Sequence, residues 1–367
     1  MKVLYLGHYR EKSGWATAAI NNILALDSVG VDVVCRDVTL TGNMGKVPER
    51  ILELEKRSTQ DATHCIQHLL PHHLNATSTV AKNVACFAAE SINLQKNIWH
   101  EQLALMDEIW VGNKTQLDNI SKFTNKAKIM PYSFNCKAYQ EKQITNRNSR
   151  FSFYHISDIN QRKNIESIVR CYYHTFDIFD PVQLILKVKK FGIPPENLQN
   201  GIENICIEIK KQMRKYTDQE LYPLIKIISS EYTNEELQNL HKTSDCYVGV
   251  SRGEDWSIPA YEAMLYGNTP ICSNEGGPKD FIDPNNKNTG TLINGVYDIC
   301  NQQDGAFEHI FTGRELWFHA SEQEVCNAMR YYYDNKNDAQ AKTDGLTQAK
   351  KFDYSVGGTK MKELLNG

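Results

Sequence analysis

The feature that most constrains this chain is an alternation, run through twice, of short apolar segments with longer amphipathic ones. In the first run Val3 to Leu6 is apolar and stops at Gly7. A polar loop carrying Ser13-Gly14-Trp15 follows, then a helical stretch from Ala16 to about Leu26 with Ile20, Ile23 and Leu24 on one face. Val31 to Cys35, Val84 to Ala88, Glu108 to Val111 and Lys128 to Met130 continue as strand candidates, with a helix near Leu94 to Leu105. Strands separated by helices imply a parallel, doubly wound sheet.

Residues 137 to 150 are polar and lack a strong period, as an interdomain linker does. The alternation then resumes. Phe151 to Ile156, Val182 to Val188, Leu224 to Ile228, Cys246 to Val250 and Thr269 to Cys272 are strand candidates, with helices predicted at about 163–176, 194–216, 234–243 and 258–266. Ser321 to Tyr333 and Asp338 to Lys351 read as helical, and Gly357 to Leu365 as a further amphipathic segment. At about 150 residues per domain, 367 residues accommodate two. The fold expected is α/β, two Rossmann-like doubly wound domains facing a cleft, spanning 1–148 and 149–350, with 351–367 as a closing helix. Ligands of open parallel sheets sit beyond the carboxyl ends of the strands, so the loops after strands should carry the function.

Charge is nearly balanced, with 41 Lys and Arg against 44 Asp and Glu, so a broad electrostatic grip on polyanions is not expected. The ten cysteines are spread evenly with no Cys-x-x-Cys pair, which reads as reduced thiols in a cytoplasmic protein. The N-terminal apolar run is too short for a signal peptide, and no stretch reaches the roughly 18 apolar residues of a membrane span, so any membrane contact is expected to be peripheral.

The richest stretch is Ser251-Arg252-Gly253-Glu254-Asp255-Trp256-Ser257-Ile258-Pro259, running on to Glu262-Ala263-Met264 directly after a strand. Ser257 suits an N-cap and Pro259 the first helical turn, so a helix should begin at Ile258, with Glu254 in the loop and Glu262 one turn in. A helix start offers unpaired N–H groups and partial positive charge, which suits a phosphate. Carboxylates beside it can accept hydrogen bonds from sugar hydroxyls. On spacing alone, a loop carboxylate and a dipole-stabilised first-turn glutamate are an equally good account.

Glu254, seven intervening residues and Glu262-Ala263-Met264, followed by Gly267 to Cys272 and Glu275-Gly276-Gly277, resemble the signature of family-four retaining glycosyltransferases of the GT-B fold, the glycosyl transferases group 1. Other landmarks fall in order. Asn160-Gln161-Arg162-Lys163-Asn164 resembles the donor-phosphate loop, with Lys163 at the lysine that contacts the diphosphate. Asp107-Glu108-Ile109-Trp110-Val111 resembles a first-domain strand motif. Glu90, followed by Trp99, resembles an acidic position facing the acceptor, and Gly14 matches the loop after the first strand whose backbone approaches the donor phosphate. Asp158 stands where many members have arginine, and Asp255 and Ser257 stand in place of the two glycines of the usual Glu-Gly-Phe-Gly.

The resemblance implies an N-terminal acceptor domain, a C-terminal nucleotide-sugar domain and a last helix crossing back to the first domain. It implies transfer from a nucleoside diphosphate sugar to an acceptor hydroxyl with retention. Glu254, Lys163 and Glu90 would be the catalytic set; Gly14, Arg162, Ser229, Asp255, Trp256, Ser257, Ile258 and Glu262 would bind the donor. Glu254 would hold sugar hydroxyls near the reacting carbon, Glu262 the ribose diol, and the backbone around Ile228 to Glu231 the base. No cofactor or metal is implied. His64 and His68, four apart, would share a helical face, but no metalloprotease glutamate accompanies them. The acceptor, whether glycan, lipid, protein, small molecule or modified nucleic-acid base, is not legible. A catalytically impaired nucleotide-sugar-binding protein on the same scaffold is the alternative, motivated by Asp158, Asp255 and Ser257. A dinucleotide-dependent enzyme ranks below both, because no Gly-x-Gly-x-x-Gly follows the first strand.

Overall fold

The computed structural model describes residues 1–140, 148–300, 311–335 and 339–367; residues 141–147, half of the expected linker, lie outside them. Two compact units emerge, one from Met1–Ala138, Ala306–Glu315 and Lys350–Gly367, the other from Tyr139–Gly305 and Leu316–Ala349.

The first unit is built on six strands, β1 (Lys2–Gly7), β2 (Asp32–Asp37), β3 (His64–His68), β4 (Lys82–Phe87), β5 (Glu108–Val111) and β6 (Ala127–Ile129), in the order β2-β1-β3-β4-β5-β6. Every pairing in it is parallel. Val3, Tyr5, Val33, Ile66, Val84 and Trp110 are buried together in its core. The histidine pair that would have shared a helical face lies instead on β3, where the apolar Cys65 and Ile66 are buried between neighbouring strands. The motif around Glu108 is structural here: the buried carboxylate accepts from Trp110 Nε1 at 2.6 Å and Lys128 Nζ at 2.7 Å, with Lys82 Nζ at 3.1 Å.

Helix Gly14–Ser28 follows β1, capped by Ser13 Oγ, which accepts from Ala16 N at 3.1 Å. The helix Tyr354–Asn366 packs against it within the same unit. The approach is close enough that a Cβ on Gly358 would lie 2.2 Å from the Ala25 carbonyl oxygen. Paired backbone hydrogen bonds, Phe134 N to Phe352 O and Tyr354 N to Phe134 O, clip its entry to the rest of the unit.

The second unit carries β7 (Phe151–Asp158), β8 (Val182–Lys189), β9 (Leu224–Ile228), β10 (Cys246–Gly249), β11 (Thr269–Ser273) and β12 (Thr291–Ile293), ordered β12-β11-β10-β7-β8-β9 and parallel throughout. Phe153, Leu184, Leu186, Val248 and Ile271 form the centre of its core with the helices Ile165–Thr175 and Glu322–Asp334. An antiparallel hairpin, β13 (Gly295–Ile299) with β14 (Leu316–Ala320), was not legible in the sequence, its strands being separated by a long stretch of chain. All ten cysteines are free and buried. Among the described residues no helix is long and apolar enough to cross a membrane.

Candidate active site

Three loops at the carboxyl ends of β7, β10 and β11 are bound to one another by backbone and side-chain hydrogen bonds. After β7, Asn160 caps a short 3-10 turn, Gln161–Lys163, its side chain accepting from Lys163 N at 3.0 Å. Arg252 N, in the loop after β10, donates to Arg162 O at 2.7 Å, and the Arg162 guanidinium donates to Gly253 O at 2.6 Å. Ser273 Oγ, at the end of β11, donates to Ser251 O at 2.6 Å.

This bracing brings Lys163 onto Glu254. The ammonium donates to Glu254 Oε1 at 2.5 Å, and the Arg162 guanidinium lies 3.5 Å from the same oxygen. Burial by itself would push the Glu254 carboxyl up, but the Lys163 and Arg162 charges outweigh it and hold the group at about 2. Beneath them His155 is buried and neutral. Its Nδ1 donates to Val248 O at 2.6 Å and its Nε2 faces Ser157 Oγ at 2.8 Å, while burial lowers it to about 4. A buried imidazole held neutral adds no second positive charge under Lys163.

The Gly276-Gly277 turn presses on the Glu254 loop from the other side. A Cβ at Gly276, whose φ is +62°, would lie 1.8 Å from Glu254 O, and one at Gly277 2.5 Å from Asp255 O. Only glycine permits this approach.

The helix Ile258–Leu265 starts where the sequence placed it, but Ser257 does not cap it. Ser257 adopts φ +65° and ψ +64° and its side chain makes no capping hydrogen bond. Capping reaches the first-turn N–H groups from extended backbone, whereas a left-handed residue directs its side chain elsewhere. Trp256 is 1% exposed, its indole packed against Tyr261 and Phe281 with centroids 6.1 and 5.5 Å away, so the ring is part of the core beneath the loop. Asp255 is buried beside it, and Ile258 opens the helix.

Glu262 points to a different set of partners from Glu254. Tyr139 Oη donates to Glu262 Oε1 at 2.9 Å, and His241 Nε2 lies 3.6 Å from Oε2. Neither Tyr139 nor His241 stood out in the sequence: one lies in the expected linker and the other in the helix Asn234–Thr243, with no shared spacing to betray them. Ser229 is buried in the loop after β9. Near it Lys187 Nζ sits 5.2 Å from the centre of the Tyr232 ring. Asp158 pairs with Lys189 on the neighbouring strand at 3.8 Å.

Gly14 and Glu90 belong to the first unit. Gly14 is the first residue of the capped helix after β1, and Glu90 lies in the loop after β4. Among the described residues no group of three or more His, Cys, Asp or Glu side chains is arranged to hold a metal ion.

Residues 209–301, which include the Glu254 loop and the helix carrying Glu262, match the model of the family described as glycosyl transferases group 1. No curated protein sequence matches the chain. Solved structures match its fold. The Anabaena HepE protein in complex with UDP superposes with a TM-score of 0.64 at 12% identity, covering 100% of both chains. Sucrose-phosphate synthase from Thermosynechococcus elongatus gives 0.65 at 14% identity, covering 100% of this chain and 98% of the synthase. The lipopolysaccharide outer core galactosyltransferase WaaB gives 0.64 at 11%, covering 100% and 99%. These are GT-B folds, and so is that of this chain.

Proposed function

We propose that the chain is a glycosyltransferase, moving a sugar from a nucleoside diphosphate sugar to an acceptor hydroxyl with retention at the anomeric carbon. The observation that carries the reading is the Lys163–Glu254 pair, fixed at the carboxyl ends of β7 and β10 beside the start of the helix that bears Glu262. When the bond to the leaving phosphate breaks ahead of attack, negative charge grows on the diphosphate and positive charge on the sugar. Lys163, Arg162 and the helix start offer fixed positive potential to the first; Glu254, held ionised, offers an acceptor to the sugar hydroxyls. Retention then follows if the leaving-phosphate oxygen takes the acceptor proton on the same face. HepE has been solved with UDP-glucose, which supports a uridine diphosphate sugar as the first donor to try. These cationic groups carry the leaving charge without a metal. For Gly14 on the donor phosphate and Glu90 on the acceptor, the support is the sequence resemblance.

The test is mass spectrometry of the purified protein with UDP-, GDP- and ADP-sugars and a panel of glycan, lipid, peptide and small-molecule acceptors. Hydrolysis or transfer is expected with one donor, and Glu254→Gln should abolish it. No turnover with any donor, together with unchanged behaviour of the Gln variant, overturns the reading. A second reading, nucleotide-sugar binding without catalysis, is favoured by Asp158 in its pair with Lys189 and by the left-handed Ser257. Saturable donor binding with no turnover would select it.

A further inference from the structure

The inference concerns what holds Glu262, and it rests on the proposed reading of that residue as the acceptor for the donor's ribose hydroxyls. His241 is 2% exposed, Asn268 3% and Tyr154 0%, three polar side chains buried together behind Glu262. Asn268 Nδ2 donates to His241 O at 2.5 Å and lies 3.1 Å from Tyr154 Oη. An amide nitrogen can only donate, so Tyr154 Oη accepts from it and is left with its own hydrogen to give. Among the described residues the acceptor within reach of that hydrogen is His241 Nδ1, 2.7 Å away, which assigns the donation to Tyr154. With Nδ1 accepting, Nε2 carries a proton.

His241 Nε2 faces Glu262 Oε2 at 3.6 Å and has no hydrogen-bond partner. A buried N–H in that state is destabilising unless something satisfies it. The ring cannot swing away, because it is stacked on Tyr266 with centroids 5.3 Å apart and planes 15° from parallel. Closing the last few tenths of an ångström onto Oε2 falls to the carboxylate, which is already tethered at Oε1 by Tyr139.

We infer that His241 is a positioning residue for Glu262: the chain Asn268–Tyr154–His241 delivers one N–H, in a fixed tautomer, to Oε2 and so sets the rotamer in which the carboxylate meets the ribose. A carboxylate has about four lone-pair sites, so donation from Tyr139 and His241 leaves two for a vicinal diol.

The experiment compares ribose and deoxyribose probes. Binding of UDP, GDP and ADP is measured by calorimetry on the full chain, and the one that binds is compared with its 2′,3′-dideoxy form. Glu262→Gln should weaken the ribonucleotide at least tenfold and the dideoxy form by less than threefold. His241→Leu should reproduce that selective loss at smaller size, about fivefold to tenfold. His241→Gln, which can place an N–H near the same point, should recover most of it, and Tyr154→Phe, which frees the tautomer, should fall between. With the sugar donor, the His241 and Tyr154 variants should raise KM and leave kcat within about twofold.

The outcomes separate. If Glu262→Gln affects both probes alike, or no nucleotide binds, the reading of Glu262 fails and this inference with it. If Glu262→Gln is selective but His241→Leu and Tyr154→Phe weaken both probes equally or neither, Glu262 keeps its role and His241 is structural only. Should His241→Leu not fold, Tyr154→Phe, which removes one buried oxygen, decides alone.

Discussion

Ser257 occupies a backbone conformation that favours glycine, and glycine is what the resembling family places there. Ser257→Gly should remove roughly 1 kcal/mol of backbone strain, raising the thermal midpoint by about 1–2 °C in a chain of this size. Differential scanning calorimetry reads it directly; no change, or a lower midpoint, would mean the serine side chain offsets its own strain. If Lys163 acts as proposed, its truncation to alanine removes a fixed donor to the leaving group and should lower kcat by about 10^2 to 10^3. Glu254 gives a pH signature. Its carboxyl is brought down to about 2 in the folded protein, below the usual value near 4.5, so its contribution is fully present above about pH 5 and is lost as pH falls through 4.5 towards 2. Acid titration of wild type and Glu254→Gln should diverge above pH 5 and converge below about pH 2; parallel curves would mean the pair with Lys163 does not stabilise the fold. Individual residues were legible where a motif singled them out, as for Glu254 and Lys163. Tyr139, His241, Tyr154 and Asn268 were not, because they converge on Glu262 from four separate stretches of chain and nothing in local sequence relates them.

The elements themselves were easier to see, since each strand of the two sheets that the sequence revealed is a compact apolar run and each main helix has an apolar face. The misses have local causes. β3 is short and flanked by histidines, so its pattern suited a helix as well as a strand, and the two strands of the β13–β14 hairpin are far apart in sequence. The element that holds the site in place is a turn. Gly276→Ala would put a methyl group into the Glu254 carbonyl at a positive φ, so the loop must move. The expected result is a stability loss of about 1–3 kcal/mol with donor affinity falling alongside it, read by urea denaturation and calorimetry. An alanine variant as stable as wild type, with unchanged affinity, would show that the loop tolerates displacement. Gly358 makes the equivalent close approach for the C-terminal helix; Gly358→Leu should detach that helix from Gly14–Ser28, seen as new protease cleavage after residue 350.

At the scale of the molecule, the first unit is assembled from three separated stretches of chain and the second from two. Donor added at 100 times its dissociation constant should stabilise whichever unit binds it by about 2.7 kcal/mol, so a thermal-shift panel of nucleotide sugars doubles as a map of where the ligand sits. Removing residues 354–366 should lower the stability of the first unit and, if the donor binds the second as proposed, leave the donor-dependent shift in place.

The late return of residues 350–367 to the first sheet has a consequence for biosynthesis. Translation delivers the β1–β6 segment early, but the helix that covers Gly14–Ser28 leaves the ribosome only after the whole second sheet has been made. The nascent N-terminal half must therefore wait with an uncovered apolar flank while its neighbour matures, a window in which a chaperone that shields such surfaces would matter most.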